Sequence, residues 1–365
     1  MFLWKGVNQP PPSVLDIPVI KHLEDLAAHN TLRDTTSYGS GLRKFHRFCD
    51  VFSIPEEDRL PASFPLLHSF ALWAAADPDD PALGAFDRAG FEPVSHTTVR
   101  KYLSAVRAWH LAQGWQAPLS EHERERIERS LRGLANLQGT RRLPPRPPIT
   151  LEMLATLKQE LNLDDPFDAC VWAMAVCAFW GLMRFGEVSV KTRDSFNPAA
   201  HLTRGDAFYG TDDDGKAFFR LVLRAAKTAQ PGEVQHVTLL AQGLLCPIDA
   251  LFNLARVVPT DDPDAPLFSW RDRRGAVRPM VRAKALARIN EIMLKHGWGT
   301  SFGHSFRIGG ASFLLAHGVA PEIVRIAGRW KSLAYEVYIR AFERIASRHF
   351  GDIVDRKGAP TSTNP

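Results

Sequence analysis

Cysteine and tyrosine are both scarce in this chain of 365 residues, with four of the first and five of the second. Cys49, Cys170, Cys177 and Cys246 show no C-x-x-C spacing, and Cys170 and Cys177 sit seven apart in an apolar helical run. That pattern excludes a disulfide framework or a zinc knuckle and reads as core thiols in a reducing compartment. A long hydrophobic run is missing as well. The most apolar stretch, CVWAMAVCAFWGLM, falls short of the ~20 residues a membrane span needs. The start, MFLWKGVNQPPPS, has too short an apolar part for a signal peptide. The expectation is a soluble intracellular protein with no membrane partner. No internal repeat is visible, which excludes a solenoid.

Charge of one sign is not in strong excess either. A net charge of +5 and a pI of about 9.1 permit an acidic partner without demanding one. The distribution is more telling. Ten Lys/Arg stand against four Asp/Glu between Ser95 and Pro148, whereas the stretch before it is net acidic. Positive charge gathered toward one region favours a polyanion.

What is present fills two domains, since single cores rarely grow beyond roughly 100–200 residues. The first, residues 1–138, reads as helical. Tyr38, Leu42, Phe45 and Phe48 repeat at helical spacing, and so do Val99, Tyr102, Val106 and Trp109 after Ser95, a suitable N-cap. Arg100, Lys101 and Arg107 lie on the other faces of that second helix and are candidate phosphate contacts. HERERIERSLRGLANL forms a charged helix ending near Gln138, and ADPDDPALGAFDRAGFEPV reads as a loop. Residues 139–149, GTRRLPPRPPI, form a stiff cationic linker: prolines exclude helix there, and Arg141, Arg142 and Arg146 add charge. Residues 150–348 make a second, mixed but mainly helical domain. It has helices from Thr150 to Leu161 and from Pro166 to Met183, strands at Phe218–Arg224 and Val234–Leu240, and helices again from Pro247. Lys227 lies near the tip of the hairpin, which turns at Pro231-Gly232.

Three sequence features in this second domain carry chemistry. Arg184 and Glu187 stand three apart where a very apolar helix ends, and His304 and Arg307 stand one turn apart at a helix start. GRWKSLAYEVYIR, from Gly328 to Arg340, brings an indole, several cations and two of the five tyrosines together. Alone, the first pair is an ordinary ion pair and the histidine an ordinary helix-start residue. Together with Lys227 they match the needs of phosphodiester cleavage. Guanidinium forks hold the non-bridging oxygens while charge builds on phosphorus. A cationic pocket with an imidazole makes a phenol of ordinary pKa near 10 a workable nucleophile, and an ammonium can protonate a departing sugar oxygen.

In order and spacing, Arg184 with Glu187, Lys227, His304-x-x-Arg307, Trp330 and Tyr338 resemble the catalytic set of the tyrosine recombinases, the phage integrase family. YGSGLRKFHRFC and TTVRKYLSAVRAWHLAQG are similar to that family's helical core-binding domain. HSFRIGGA, GRWKS and YIR look closest to the eukaryotic mobile-element branch, the DIRS-like and Crypton-like recombinases.

The resemblance implies a mainly α chain with a small antiparallel β-sheet. Its parts would be a helical core-binding (SAM-like) domain and a mixed α/β catalytic domain, forming a C-shaped clamp on double-stranded DNA. It implies cleavage and rejoining through a 3′-phosphotyrosyl intermediate without metal or nucleotide cofactor, and the chain holds no acidic cluster suited to Mg²⁺. By position, Tyr338 would be the nucleophile, Arg184 and Arg307 the phosphate ligands, Lys227 the acid and His304 the proton-transfer aid. Glu187 would orient the site, and Trp330, where many members carry histidine, would position the phosphate. Arg329 and Lys331, flanking Trp330, join the candidate DNA contacts, and Tyr335 is expected to pack.

The expected assembly is a homo-oligomer, a dimer on each site and a tetramer in synapsis, placed in the nucleus if the host is eukaryotic. Residues 349–365, with Phe350, Ile353 and Val354, form a tail that docks in trans or packs on its own domain, with a disordered end. Two departures stand out. Met183 intervenes where the family usually reads G-L-R, which would turn Arg184 off the site if the spacing did not belong to this branch. Gly309-Gly310 replaces bulkier residues and is expected to weaken its helix by up to roughly 1 kcal/mol per glycine. Alternatives are a domesticated, non-cleaving DNA-binding protein and a type IB topoisomerase-like activity.

Overall fold

The spacing of Leu42, Phe45 and Phe48 commits their helix to bury one face, and the surrounding helices supply the cover. A computed structural model of the chain describes residues 4–31, 35–77, 92–137, 147–225 and 233–330, with 35–37 by their backbone alone. Contacts divide the chain into two units, Met1–Leu143 and Pro144–Pro365.

The described part of the first unit consists of α1 (Pro18–Asn30), α2 (Thr35–Val51), α3 (Glu56–Arg59), α4 (Phe64–Ala75), α5 (His96–Ala112) and α6 (Glu121–Leu137). Leu42 and Phe45 of α2 meet Val99, Val106 and Trp109 of α5 in one core, all fully buried or nearly so, with Tyr102 packed at its edge. Ser95 caps α5 as expected, its side-chain oxygen accepting from the N–H of Thr98 at 3.3 Å. Apolar along nearly its whole length, α4 gives no amphipathic signal. Its start is set by Ser63, which accepts from Leu66, and by Pro65 in its first turn. The charged α6 contributes only Ile127 and Leu131 as fully buried residues, four apart on one stripe. Residues 78–91 and 138–146, which hold most of the loop and linker with Arg141, Arg142 and Arg146, lie outside the described residues.

His110 of α5 is fully buried. Its Nε2 accepts from the N–H of Ala62 at 2.8 Å while Nδ1 faces the carbonyl of Val106 at 2.8 Å, which assigns a neutral ring with its proton on Nδ1. Burial pushes its pKa down, and that of His46, packed among Trp4, Phe45 and Trp109, goes the same way for the same reason. Both rings are neutral in the fold and protonate more readily in the unfolded chain. Their contribution is therefore complete above the ordinary histidine value of 6.5 and is lost as pH falls below it. The denaturation midpoint of this unit should drop between about pH 7.5 and about pH 5. His110→Gln, which can keep both bonds without titrating, should flatten that slope. A variant with the same slope as the wild type would contradict the assignment.

In the second unit, α7 (Leu151–Glu160) and α8 (Pro166–Trp180) precede a three-stranded antiparallel sheet of β1 (Ala207–Thr211), β2 (Ala217–Leu223) and β3 (Gln235–Leu240), with β2 central. Then come α9 (Pro247–Val257), a hairpin of β4 (Ser269–Arg271) and β5 (Val277–Pro279), and the helices α10 (Arg282–Lys295), α11 (Gly303–Ala316) and α12 (Pro321–Ala327). Every residue of α8 from Asp168 to Phe179 is buried, so α8 is the axis of this core, covered by α9, α11 and β4. All four cysteines are buried and unbridged. Burial holds the Cys49 thiol up to about 12 and those of Cys170 and Cys177 higher still, as inert core thiols.

The expected hairpin is present as β2 and β3, with its tip, 226–232, outside the described residues. The region after Pro247 is not all helical. Strands of three residues carry no usable alternation, and the β4–β5 turn is set instead by Asp272, whose carboxylate accepts from the N–H groups of Arg274 and Ala276 and from Arg278 Nε.

α11 carries the glycine pair expected to weaken it, and the structure gives that pair another role. A Cβ on Gly309 would stand 2.0 Å from the carbonyl oxygen of Ile149, and one on Gly310 would stand 2.0 Å from that of Phe179. Both glycines let α11 press against neighbouring backbone, and Ile149 completes the contact by donating to the carbonyl of Ser305 at 3.0 Å.

Candidate active site

The end of α8 begins the site. Gly181 caps the helix and Leu182 takes φ 47°, a left-handed value that costs a non-glycine residue about 1 kcal/mol or more. This reversal points the carbonyl of Leu182 at α11 and buries Met183 in the core. The inserted methionine therefore serves packing. Arg184 emerges with 22% of its side chain exposed.

Glu187 folds back on Arg184. One carboxylate oxygen accepts from Arg184 Nη1 at 2.9 Å, and the other accepts from the Arg184 backbone N–H at 2.8 Å. The second oxygen also accepts from Arg329 Nη2 at 2.6 Å, across 142 positions of sequence. With both partners 9% exposed or less, this is a nearly buried ion pair. Arg329, expected among the DNA contacts, is instead turned inward against Glu187. Burial lowers its pKa most, opposed by Glu187 and reinforced by the nearby positive charge of Arg184.

Arg307 sits one turn into α11 and is 1% exposed. Its Nη1 donates to the carbonyl of Leu182 and its Nη2 to that of Gly328, so one guanidinium ties the end of α8 to the end of α12. Trp330 lies against that guanidinium, 4.2 Å from ring centroid to Cζ. These three partners are neutral and orient the guanidinium plane. His304, one turn before Arg307, is half-buried in the first turn of α11. The helix that follows Gly318, φ 81°, begins at Pro321 as its spacing predicts.

Two guanidiniums, those of Arg184 and Arg329, thus share the Glu187 carboxylate, and a third, that of Arg307, is held by the carbonyls of Leu182 and Gly328 beside Trp330. Guanidinium forks grouped in this way are suited to an anion. A recess lined by Gly186, Glu187, His201, Leu223, Arg224 and Ala225 places the end of β2 beside Glu187. Lys227, two residues further on, lies outside the described residues, as do Lys331, Tyr335, Tyr338 and the tail. On α5, Lys101 and Arg107 are exposed, while Arg100 is tied to Glu128 of α6 by a forked pair at 2.7–2.9 Å.

Sequence spacing did not single out the carbonyls of Leu182 and Gly328 or the Arg329 side chain as parts of the site. The one local signal for them is that both turns take left-handed values at non-glycine residues, Leu182 and Arg329, a property of the fold.

No protein-family model matches the sequence, and no curated protein matches it. Among solved structures, the chain is similar to a XerH site-specific recombinase bound to palindromic difH substrate in a post-cleavage complex. The identity is 12%, with 95% of this chain and 92% of that one covered and a TM-score of 0.50. A Tn1549 transposon integrase in complex with transposon right end DNA is 11% identical over 92% of this chain and 99% of that one, with a TM-score of 0.49. At 12% identity the likeness to the XerH recombinase is one of fold alone, a mainly helical chain with small antiparallel sheets.

Proposed function

We propose that this protein is a site-specific DNA recombinase or integrase that breaks and rejoins strands through a covalent phosphotyrosine. The observation that carries the reading is the placement of two guanidiniums, Arg184 fixed by Glu187 and Arg307 fixed beside Trp330. In this reading Arg184 and Arg307 take the two non-bridging oxygens of a backbone phosphate. The Tyr338 oxygen attacks phosphorus and gives up its proton with the help of His304. The bond to the 5′ oxygen breaks, and Lys227 protonates that oxygen as it leaves. A 5′-hydroxyl from a second strand reverses the step, so the bond energy is conserved and no step needs a metal or nucleotide cofactor.

Double-stranded DNA is the partner, and rejoining between two duplexes calls for an oligomer. The HSFRIGGA, GRWKS and YIR motifs support a mobile-element protein of the eukaryotic DIRS-like or Crypton-like branch, acting in the nucleus of such a host. A non-cleaving DNA-binding descendant is the second reading. Keeping both arginines, the lysine, the histidine and the tyrosine is what speaks against it.

The test is a nicked suicide duplex incubated with the full chain. A denaturation-resistant protein–DNA adduct is expected, with the modified peptide mapping to Tyr338 and no adduct in Tyr338→Phe. An adduct on another residue, or none with any duplex that the protein binds specifically, would remove the assignment.

A further inference from the structure

Glu187 is shared. If a carboxylate faces a single guanidinium, it tends to engage it with both oxygens and so takes up the paired donors that a phosphate would otherwise use. Here the second oxygen is taken by Arg329 Nη2 at 2.6 Å together with the Arg184 backbone N–H at 2.8 Å. Among the described residues, the only side-chain hydrogen bond of Arg184 is the one from Nη1 to the first oxygen at 2.9 Å.

Two further observations set Arg329 apart from an incidental surface cation. Its side chain is only 7% exposed. It also holds the left-handed position after α12, φ 57°, where glycine normally sits, although Gly328 is next to it with φ −76°. The arginine side chain is kept where the backbone would favour none.

We propose that Arg329 is a positioning residue of the anion pocket, which acts through Glu187 to keep the fork of Arg184 open to a phosphate. The inference rests on the anion-binding role proposed above for Arg184 and Arg307, and extends it. Arg329 supplies half the counter-charge of Glu187, so the carboxylate aligns Arg184 without closing on it. Remove Arg329, and Glu187 turns both oxygens to Arg184 and the pocket loses donors and charge together.

Arg329→Gly is the informative variant, because glycine suits the left-handed backbone while removing the ion pair, so the fold is kept. Two readouts on the full chain are inorganic phosphate binding by calorimetry and the single-turnover rate of adduct formation on the nicked suicide duplex. Arg329→Gly is expected to weaken phosphate binding by roughly tenfold or more and to slow the adduct comparably. Duplex affinity should stay within about threefold, because many other phosphate contacts carry it. Arg329→Lys, which keeps the charge but not the fork, should recover part of the loss. Adding Glu187→Gln to Arg329→Gly should also recover phosphate binding, because a neutral amide no longer closes on Arg184. A residue that merely pins the end of α12 would not show that second-site recovery.

Phosphate affinity unchanged in Arg329→Gly, or lost without recovery in the double variant, overturns the proposal. If the wild type forms no adduct, the recombinase reading falls, and the phosphate arm still decides the role of Arg329.

Discussion

Alanine in place of Arg307 is expected to slow adduct formation by about a thousandfold while duplex affinity stays within severalfold. The asymmetry follows from where each contact counts. In the proposed reaction one guanidinium is a small part of the many phosphate contacts that hold a duplex, but it is the group assigned to the oxygens on which negative charge develops as phosphorus becomes five-coordinate. Its placement strengthens the expectation. Arg307 is 1% exposed and is fixed by the carbonyls of Leu182 and Gly328 and by the ring of Trp330 at 4.2 Å, so little reorganisation is needed as charge builds.

The same bonds mean that Arg307→Ala leaves two carbonyls without their donor, at about 1–3 kcal/mol of stability for each that stays buried and unsatisfied. Arg307→Lys separates the two effects. It keeps the charge and much of the volume, but a single ammonium lacks the planar fork that spans both carbonyls and a phosphate. Single-turnover cleavage of the suicide duplex, with the denaturation midpoint measured alongside, decides the matter. An adduct rate within tenfold of wild type in a folded Arg307→Ala would remove Arg307 from the reaction.

The second large effect is on folding. Gly310→Ala should destabilise the second unit by about 3 kcal/mol or more, and Gly309→Ala comparably. Helix propensity alone points the other way, favouring alanine by about 1 kcal/mol. Here the clash outweighs it. The added methyl would stand 2.0 Å from a backbone oxygen in each case, Phe179 for one and Ile149 for the other, and neither belongs to a side chain that can swing away. Gly133 on α6 is the control, since nothing lies within 4 Å of a Cβ built there. Gly133→Ala should leave stability unchanged or raise it by roughly 0.5–1 kcal/mol. Equal denaturation midpoints for Gly310→Ala and wild type would show that α11 can move off α8 without loss.

That pair of glycines marks the limit of sequence reading here. Read along the chain, Gly309 and Gly310 are helix-weakening residues, and only the packing of α11 against Phe179 and Ile149 makes them necessary. Arg329 follows the same pattern. As one cation among several beside Trp330 it reads as a DNA contact, and only the fold turns it inward to Glu187. The short strands β4 and β5 were illegible because three residues hold no period, whereas α2 and α5 were legible because four apolar residues at helical spacing do.

The sequence by itself determined the local features: which faces of α2 and α5 are buried, the cap at Ser95, the pairing of Arg184 with Glu187, the one-turn step from His304 to Arg307, and the absence of bridged cysteines. Apart from the cysteines, which were read from their wide spacing and apolar surroundings, each depends on residues within about three turns of one another, where spacing alone dictates geometry. Tertiary structure alone decided that Glu187 serves two arginines, that Arg307 hangs between Leu182 and Gly328, and that two glycines are required on α11. Arg307 lies 125 positions from Leu182, and Arg329 lies 142 from Glu187. Contacts over such separations leave no periodic trace, because which residues meet is settled by the packing of whole elements.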